Sequence, residues 1–235
     1  HTAVRQAFPE LKDSYTAPRS RSGGQVRDMG QQKAEIAVAG DNRIGLLNET
    51  SLHASLKEWY AIPGDRFEVK VGDFVIDLVR GSLLIEIQTS NFTSIRKKLR
   101  SLVREHDVLL VYPIAREKWI VKIAGDGQVL SRRKSPKRGK VTDLVDELIR
   151  MPDLINEDSF AIKVLMIREE EIRRDDGKGS WRRKGVSIID RKLIDVVEKV
   201  SLTTSNDFLQ FLPEGLSQPF SNKSLAEKAG ISVRQ

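Results

Sequence analysis

Two strongly β-prone runs, each carrying one carboxylate among apolar residues, lie close together in this chain: Phe74-Val75-Ile76-Asp77-Leu78-Val79 and Leu83-Leu84-Ile85-Glu86-Ile87-Gln88. Runs of this kind form strands, and the short Arg80-Gly81 link between them calls for an antiparallel hairpin. With Arg80 and Gly81 as a two-residue loop, Val79 faces Ser82 and Asp77 faces Leu84. Strict alternation then puts Asp77, Leu84, Glu86 and Gln88 on one face. Asp77 and Glu86 become diagonal neighbours, with Cα atoms roughly 7–8 Å apart. A four-residue loop would set the two acids directly opposite, and only an odd slip would part their faces.

The flanking sequence predicts what packs on this hairpin. Leu52, Leu56 and Trp59 recur at helical spacing between Asn48, a capping residue, and the Pro63-Gly64-Asp65 breaker. Phe67, Val69 and Val71 alternate as a first strand. A helix from about Phe92 to Glu105 presents Ile95, Leu99, Leu102 and Val103 on one side and Arg96, Lys97, Arg100 and Arg104 on the other. Val108 to Tyr112 reads as a buried strand, Trp119 to Ile123 as another, and Val141 to Arg150 as a helix. The order helix, three strands, helix, strand fits an α/β sandwich better than an all-α or all-β fold.

Side-by-side carboxylates in an apolar strand pair repel, because low dielectric amplifies like charge. A divalent cation removes that cost. Mg²⁺ (or Mn²⁺) takes a few carboxylate oxygens, water and phosphate oxygens, which is the chemistry of phosphodiester hydrolysis. The plain alternative is a pair of strand acids on a solvated face, or paired with Lys or Arg.

Asp77, eight residues, then Glu86-Ile87-Gln88 resembles the D-x(n)-E-x-K signature of the PD-(D/E)xK nuclease superfamily, in its E-x-Q form. The surrounding element order, over about residues 45–123, is also similar to that superfamily's restriction-endonuclease-like α/β/α core. The resemblance implies that Asp77 and Glu86 bind the metal and that Ile87 lends it a backbone carbonyl. It puts Gln88 where Lys usually stands, and matches Glu49 to the extra acid carried by the first helix. A capping or solvated Glu at a helix start is the other reading of Glu49. Gln88 orients water but carries no charge, so either Lys97 or Lys98 on the next helix compensates, or the site binds without cutting.

Charge and the remaining segments point to the partner. The net charge is +7 and six of the ten residues from Ser131 to Lys140 are basic: Arg132, Arg133, Lys134, Lys137, Arg138 and Lys140. Pro136 and Gly139 argue for a loop there, and phosphate contact is its natural use. Arg168 to Lys184 mixes both signs and reads as a surface helix and connector. Leu193, Val196, Val197 and Val200 share a helical face, and Phe208 to Leu212 is a short apolar segment. Phe220 to Gln235 reads as a helix-turn-helix whose recognition helix starts near Val233 and carries Arg234.

The resulting division is a flexible leader over 1–40, a nuclease-like domain over 41–167, a basic linker over 168–187 and a mostly α, truncated winged-helix-like module over 188–235. The chain lacks an initiating Met and breaks off inside a structural unit, so it is expected to be a fragment. It has no Cys, which excludes disulfides and thiolate zinc sites and fits the cytoplasm, and no apolar run long enough to span a membrane. His1, His53 and His106 show no metal-ligand spacing. The expected function is metal-dependent hydrolysis of phosphodiester bonds in nucleic acid, with double-stranded DNA favoured by the helix-turn-helix and a homodimer open to it. The alternatives are a DNA-binding regulator on a nuclease-like scaffold and an interaction module that binds no nucleic acid.

Overall fold

The structure is a computed structural model that describes Phe8 and residues 50–229. The leader apart from Phe8, together with Asn48, Glu49 and Arg234, therefore lies outside the described residues. Helix α1 (Ser51–Tyr60) begins at Thr50, whose hydroxyl accepts from the His53 amide at 3.4 Å. It ends against β2 through Arg80, whose guanidinium grips the Asp65 carboxylate at 2.9 and 2.8 Å and donates to the Tyr60 carbonyl at 3.0 Å.

Strands β1 (Arg66–Val71), β2 (Phe74–Arg80) and β3 (Leu83–Ile87) form the antiparallel meander that the alternation implies. The β2–β3 turn differs from the expected one. It closes at Gly81-Ser82, because Gly81 takes φ +58°, a left-handed conformation that glycine adopts without steric cost. Arg80 then pairs with Leu83, Val79 with Leu84 and Leu78 with Ile85. This is an even shift from the two-residue loop at Arg80-Gly81, so the residues paired beside the turn keep their faces. The ladder ends at the Leu78–Ile85 pair, one position short of Asp77 and Glu86.

Helix α2 (Arg96–Leu102) is shorter than the 92–105 span its periodicity suggests. The preceding residues turn instead, with Phe92 fully buried edge-on to Tyr112 at 4.8 Å. Strand β4 (Val108–Ile123) then runs parallel to β3, joining the two separate strands read from the sequence into one. Strand β5 (Val129–Lys134) folds back on β4 from Trp119 to Ile123. The basic segment is thus half strand: Arg132, Arg133 and Lys134 lie in β5, and only residues 135–140 form a loop.

A 3-10 turn at Val141–Leu144 leads into the short α3 (Val145–Leu148). Beyond it come β6 (Phe160–Asp175), parallel to β4 along its whole length, and β7 (Val186–Leu202), antiparallel to β6. The sheet has seven strands in the order β1-β2-β3-β4-β6-β7, with β5 on β4. The protein is a mixed α/β fold, and not mostly α in its C-terminal part.

Two expectations fail here for one reason. Arg168 to Asp175, read as helix and linker, is the second half of β6. The helical face Leu193, Val196, Val197 and Val200 lies in β7, so residues 188–202 belong to the main sheet and not to a separate helical module. The β6–β7 ladder shifts register at Met166/Ile167, Arg168/Glu169 and Ile172/Arg173. Each bulge inserts one extra residue and breaks strict alternation. Leu193 and Val196 reach one core while Val197 and Val200 reach the other, at spacings that mimic a helix. Phe208 lies in a 3-10 turn (Ser205–Phe211), and α4 (Asn222–Ala229) forms where the first helix of the helix-turn-helix is expected. The second helix of that motif lies outside the described residues.

The sheet carries a core on each face. Leu84, Leu110, Ile162 and Val164 pack beneath Leu99, Leu102 and Leu148 from α2 and α3. Leu78, Ile85, Leu109 and Leu165 pack against Leu52 and Leu56 of α1. Each of these large side chains contributes roughly 1.5–3 kcal/mol by leaving water. Among the described residues no helix is long and apolar enough to cross a membrane.

Candidate functional site

Where β2 and β3 part beyond the Leu78–Ile85 pair, two carboxylates take over from backbone pairing. Asp77 Oδ2 accepts a hydrogen bond from the Ile87 amide at 2.8 Å. Glu86 is 3% exposed. The Lys98 ammonium of α2 lies 2.5 Å from Glu86 Oε1. Lys98 also donates to the Val75 carbonyl, which ties α2 to β2. Lys97, one residue earlier, is exposed.

A residue that sequence spacing does not single out joins this pair. His53, on α1, places Nε2 3.3 Å from Asp77 Oδ2 and 2.9 Å from the Ile87 carbonyl. The helix is held for this by Ser51, whose amide and hydroxyl donate to Asp190 on β7 at 3.1 and 2.5 Å. The signal for His53 was its one-turn offset from Leu56 on the buried side of α1, which only becomes informative once β2 and β3 are placed beneath it. Glu49, the matched helix-borne acid, lies outside the described residues.

The two acids titrate apart. Burial pushes the Asp77 carboxyl up, but the His53 imidazole, the Ile87 amide and Lys98 outweigh it and hold Asp77 below its ordinary value. Burial also pushes Glu86 up, and the adjacent Asp77 charge adds to it. Lys98 and the Asp77 backbone amide pull the other way, and the balance stands at about 7. Neighbouring titratable groups driven apart in this way are an arrangement suited to proton transfer, although structural ion pairs can produce it too.

The donor set fits a hard divalent cation. Asp77, Glu86 and the Ile87 carbonyl offer oxygen ligands, with Lys98 at Glu86 Oε1 and His53 at Asp77 Oδ2 and the Ile87 carbonyl in the places a cation would take. Among the described residues no three His, Cys, Asp or Glu side chains gather into a metal-holding group, so the carbonyl would be an essential ligand. Gln88 is turned elsewhere. Its amide nitrogen donates to the Asn91 carbonyl at 2.8 Å, to Ser94 Oγ at 2.9 Å and to Ser90 Oγ at 3.2 Å, and so pins the loop into α2.

The predicted phosphate-contacting residues are partly spent on the protein. Arg132 bonds Glu170 at 2.7 Å and lies over the Trp119 ring, 5.2 Å from its centroid. Lys134 and Arg138 reach Glu117 at 2.9 and 3.9 Å. Arg133, Lys137 and Lys140 are exposed.

A second cluster of charge lies in the outer half of the sheet. Glu169 is fully buried and Glu171 is 4% exposed. Lys118 reaches them at 3.0 and 2.7 Å, Arg191 holds Glu169 at 2.6 Å and Arg173 holds Glu171 at 2.6 Å.

No solved structure matches the chain. An uncharacterized protein of Treponema pallidum (strain Nichols) is 32% identical over 193 residues, covering 81% of this chain and 77% of that protein. The family described as "Domain of unknown function (DUF8091)" matches residues 50–203, which hold α1, the whole sheet and both charged clusters. With that match over well more than half its length, the chain belongs to the DUF8091 family.

Proposed function

We propose that the chain is a metal-dependent nuclease that hydrolyses phosphodiester bonds, with DNA as its substrate. The observation that carries this reading is the adjacency of two acids where β2 and β3 part: Asp77, bonded to the Ile87 amide, and the buried Glu86, served by the Lys98 ammonium and the Asp77 amide. The element order α1-β1-β2-β3-α2-β4, with β3 and β4 parallel, supports a PD-(D/E)xK-like core beneath it. Helix α4 supports a helix-turn-helix at the C-terminal end.

Asp77, Glu86 and the Ile87 carbonyl would hold the cation, Mg²⁺ or Mn²⁺. When bound, it supplies a water of lowered pKa and positive charge at the scissile phosphate. Asp77 stays ionised, held in orientation by the Ile87 amide and His53. Glu86, which burial and the Asp77 charge hold near neutrality in the cation-free protein, would be ionised when it holds the cation. Lys98 provides the charge that Gln88 lacks, from a helix and not from β3, and so stabilises negative charge developing on the phosphate.

One observation favours a second reading. The Gln88 amide nitrogen is committed to the loop before α2, which suits a scaffold that binds DNA without cutting it. Incubating plasmid with the full chain, with and without Mg²⁺ or Mn²⁺, separates the two. Metal-dependent cutting that Asp77→Ala and Glu86→Ala abolish supports hydrolysis at this site. Cutting that survives both substitutions sinks the assignment, and salt-sensitive DNA binding without cutting supports the scaffold.

A further inference from the structure

Strand β6 runs along one edge of β4 over its full length, so β3 and β5 must share the other edge. β3 pairs only as far as Val111, and β5 only from Trp119. Between them lies an interruption in the sheet, bordered by Tyr112 to Lys118. Such interruptions beyond the carboxyl ends of parallel strands are where open α/β sheets receive ligands.

A cleft of about 460 Å³ occupies this place, lined by Thr89, Tyr112, Lys118, Lys137, Arg173 and Arg191 among others. Its volume is in the range of small-ligand sites, roughly 300–1,000 Å³. The 135–140 loop forms one wall and is closely fitted. The Gly139 amide donates to the Ala115 carbonyl at 2.9 Å, and a Cβ at Gly139 would stand 2.6 Å from the Ile114 methyl and 2.7 Å from that carbonyl oxygen.

The charges in the cleft are anchored from behind. Glu169 and Glu171 hold Lys118, Arg173 and Arg191, and Arg191 also donates to the Thr89 carbonyl at 3.0 Å. Carboxylates that fix guanidinium groups in place leave part of each donor fork over. Arg191 spends three N–H groups on Glu169 and Thr89, and a guanidinium has five. Lys118, Lys137, Arg173 and Arg191 together outnumber Asp143, Glu169 and Glu171 by one charge. Pre-oriented forks with a surplus of positive charge match a phosphate oxyanion better than a lone carboxylate or a neutral group.

We propose that this cleft is a phosphate-binding site, separate from the Asp77–Glu86 pair, that takes the phosphate of a mononucleotide or of a nucleic-acid strand. It does not depend on the nuclease reading. The shared chemistry is the phosphate group, and its source is decided by experiment.

The test is calorimetric titration of the full chain with adenosine 5′-monophosphate, with adenosine and with a short single-stranded oligonucleotide. Binding of the monophosphate but not of adenosine assigns a mononucleotide, and binding of the oligonucleotide alone assigns a strand. In either case Lys137→Glu and Arg173→Gln should each weaken binding by about tenfold or more, the scale of one charge-assisted hydrogen bond. Lys137 is exposed, so its substitution leaves the fold intact, as circular dichroism will report. The titrations are run with a chelator and no divalent cation, so phosphate held through a cation at Asp77 and Glu86 does not contribute, which keeps this site distinct from any failure of cleavage. The proposal is overturned if neither phosphate ligand binds, if adenosine binds as tightly as its monophosphate, or if folded Lys137→Glu and Arg173→Gln bind unchanged.

Discussion

His53 Nε2 stands 3.3 Å from Asp77 Oδ2, so α1 and β2 meet at one imidazole–carboxylate contact. The same nitrogen touches the Ile87 carbonyl of β3, which makes His53 the clamp across both acid-bearing strands. Asp77 owes its depressed pKa largely to this ring, working against burial. A carboxyl depressed in the folded state stabilises fully above its unfolded value of 3.8, and that stability is lost as pH falls through the folded value. His53→Ala should raise the Asp77 pKa, read by carboxyl carbon NMR. It should cost about 1 kcal/mol near neutral pH, with a smaller cost in strong acid. An unchanged Asp77 titration would remove His53 from the site.

Glu86 carries the opposite sign. Its folded pKa of about 7 stands above the unfolded 4.5. Between these values the unfolded chain releases a proton that the folded chain keeps, so this residue's contribution to stability falls as pH rises from about 4.5 to 7. Glu86→Gln should remove that slope. Compared at pH 5 and pH 8 by urea unfolding, the variant should gain on the parent at the higher pH by about 2–3 kcal/mol. A parent and variant with parallel pH profiles would show that Glu86 is ionised throughout.

Lys98 is one of the groups that lower Glu86. Lys98→Met should therefore move the Glu86 titration further up and steepen the loss of stability toward neutral pH. If Lys98 supplies charge to the phosphate, cleavage should also fall by about a hundredfold or more. Retained cleavage together with a shifted Glu86 would mean that Lys98 only balances charge in the resting protein.

Glu169, on β6, gives a stability test at the second charged cluster. It is fully buried between Lys118 and Arg191. Glu169→Ala leaves both cations without this partner and should cost about 3–5 kcal/mol, measured by thermal or urea unfolding. A loss under about 1 kcal/mol would place the network in the class of exposed ion pairs.

Gly139→Ala tests the wall of the cleft. The added methyl would meet the Ile114 methyl and the Ala115 backbone, so the loop must shift or the variant must lose about 1–3 kcal/mol. An unchanged melting temperature, together with unchanged phosphate binding, would show that the wall is not closely packed.

Much of the site was legible in the chain because it rests on local rules. The two β-prone runs and the Gly81 turn bring Asp77 and Glu86 together, although alternation slips at Asp77, where Ile76 and Leu78 reach opposite cores. The helices flanking the meander followed from their apolar spacing. What lies farther along did not follow. Leu193, Val196, Val197 and Val200 carry a helical spacing, yet they sit in β7 because β6 offers a partner edge with three bulges, and no local window contains that partner. His53 was an ordinary helix residue, and Lys97 and Lys98 were equal candidates, until tertiary packing set α1 and α2 on opposite faces of the same strand pair. The sequence by itself determined the carboxylate pair, because a hairpin is a contact between near neighbours in the chain. Only the tertiary structure decided which cation and which imidazole serve that pair, and that β7 closes the sheet. Those contacts join residues tens of positions apart, and their geometry exists only once the cores on both faces have packed.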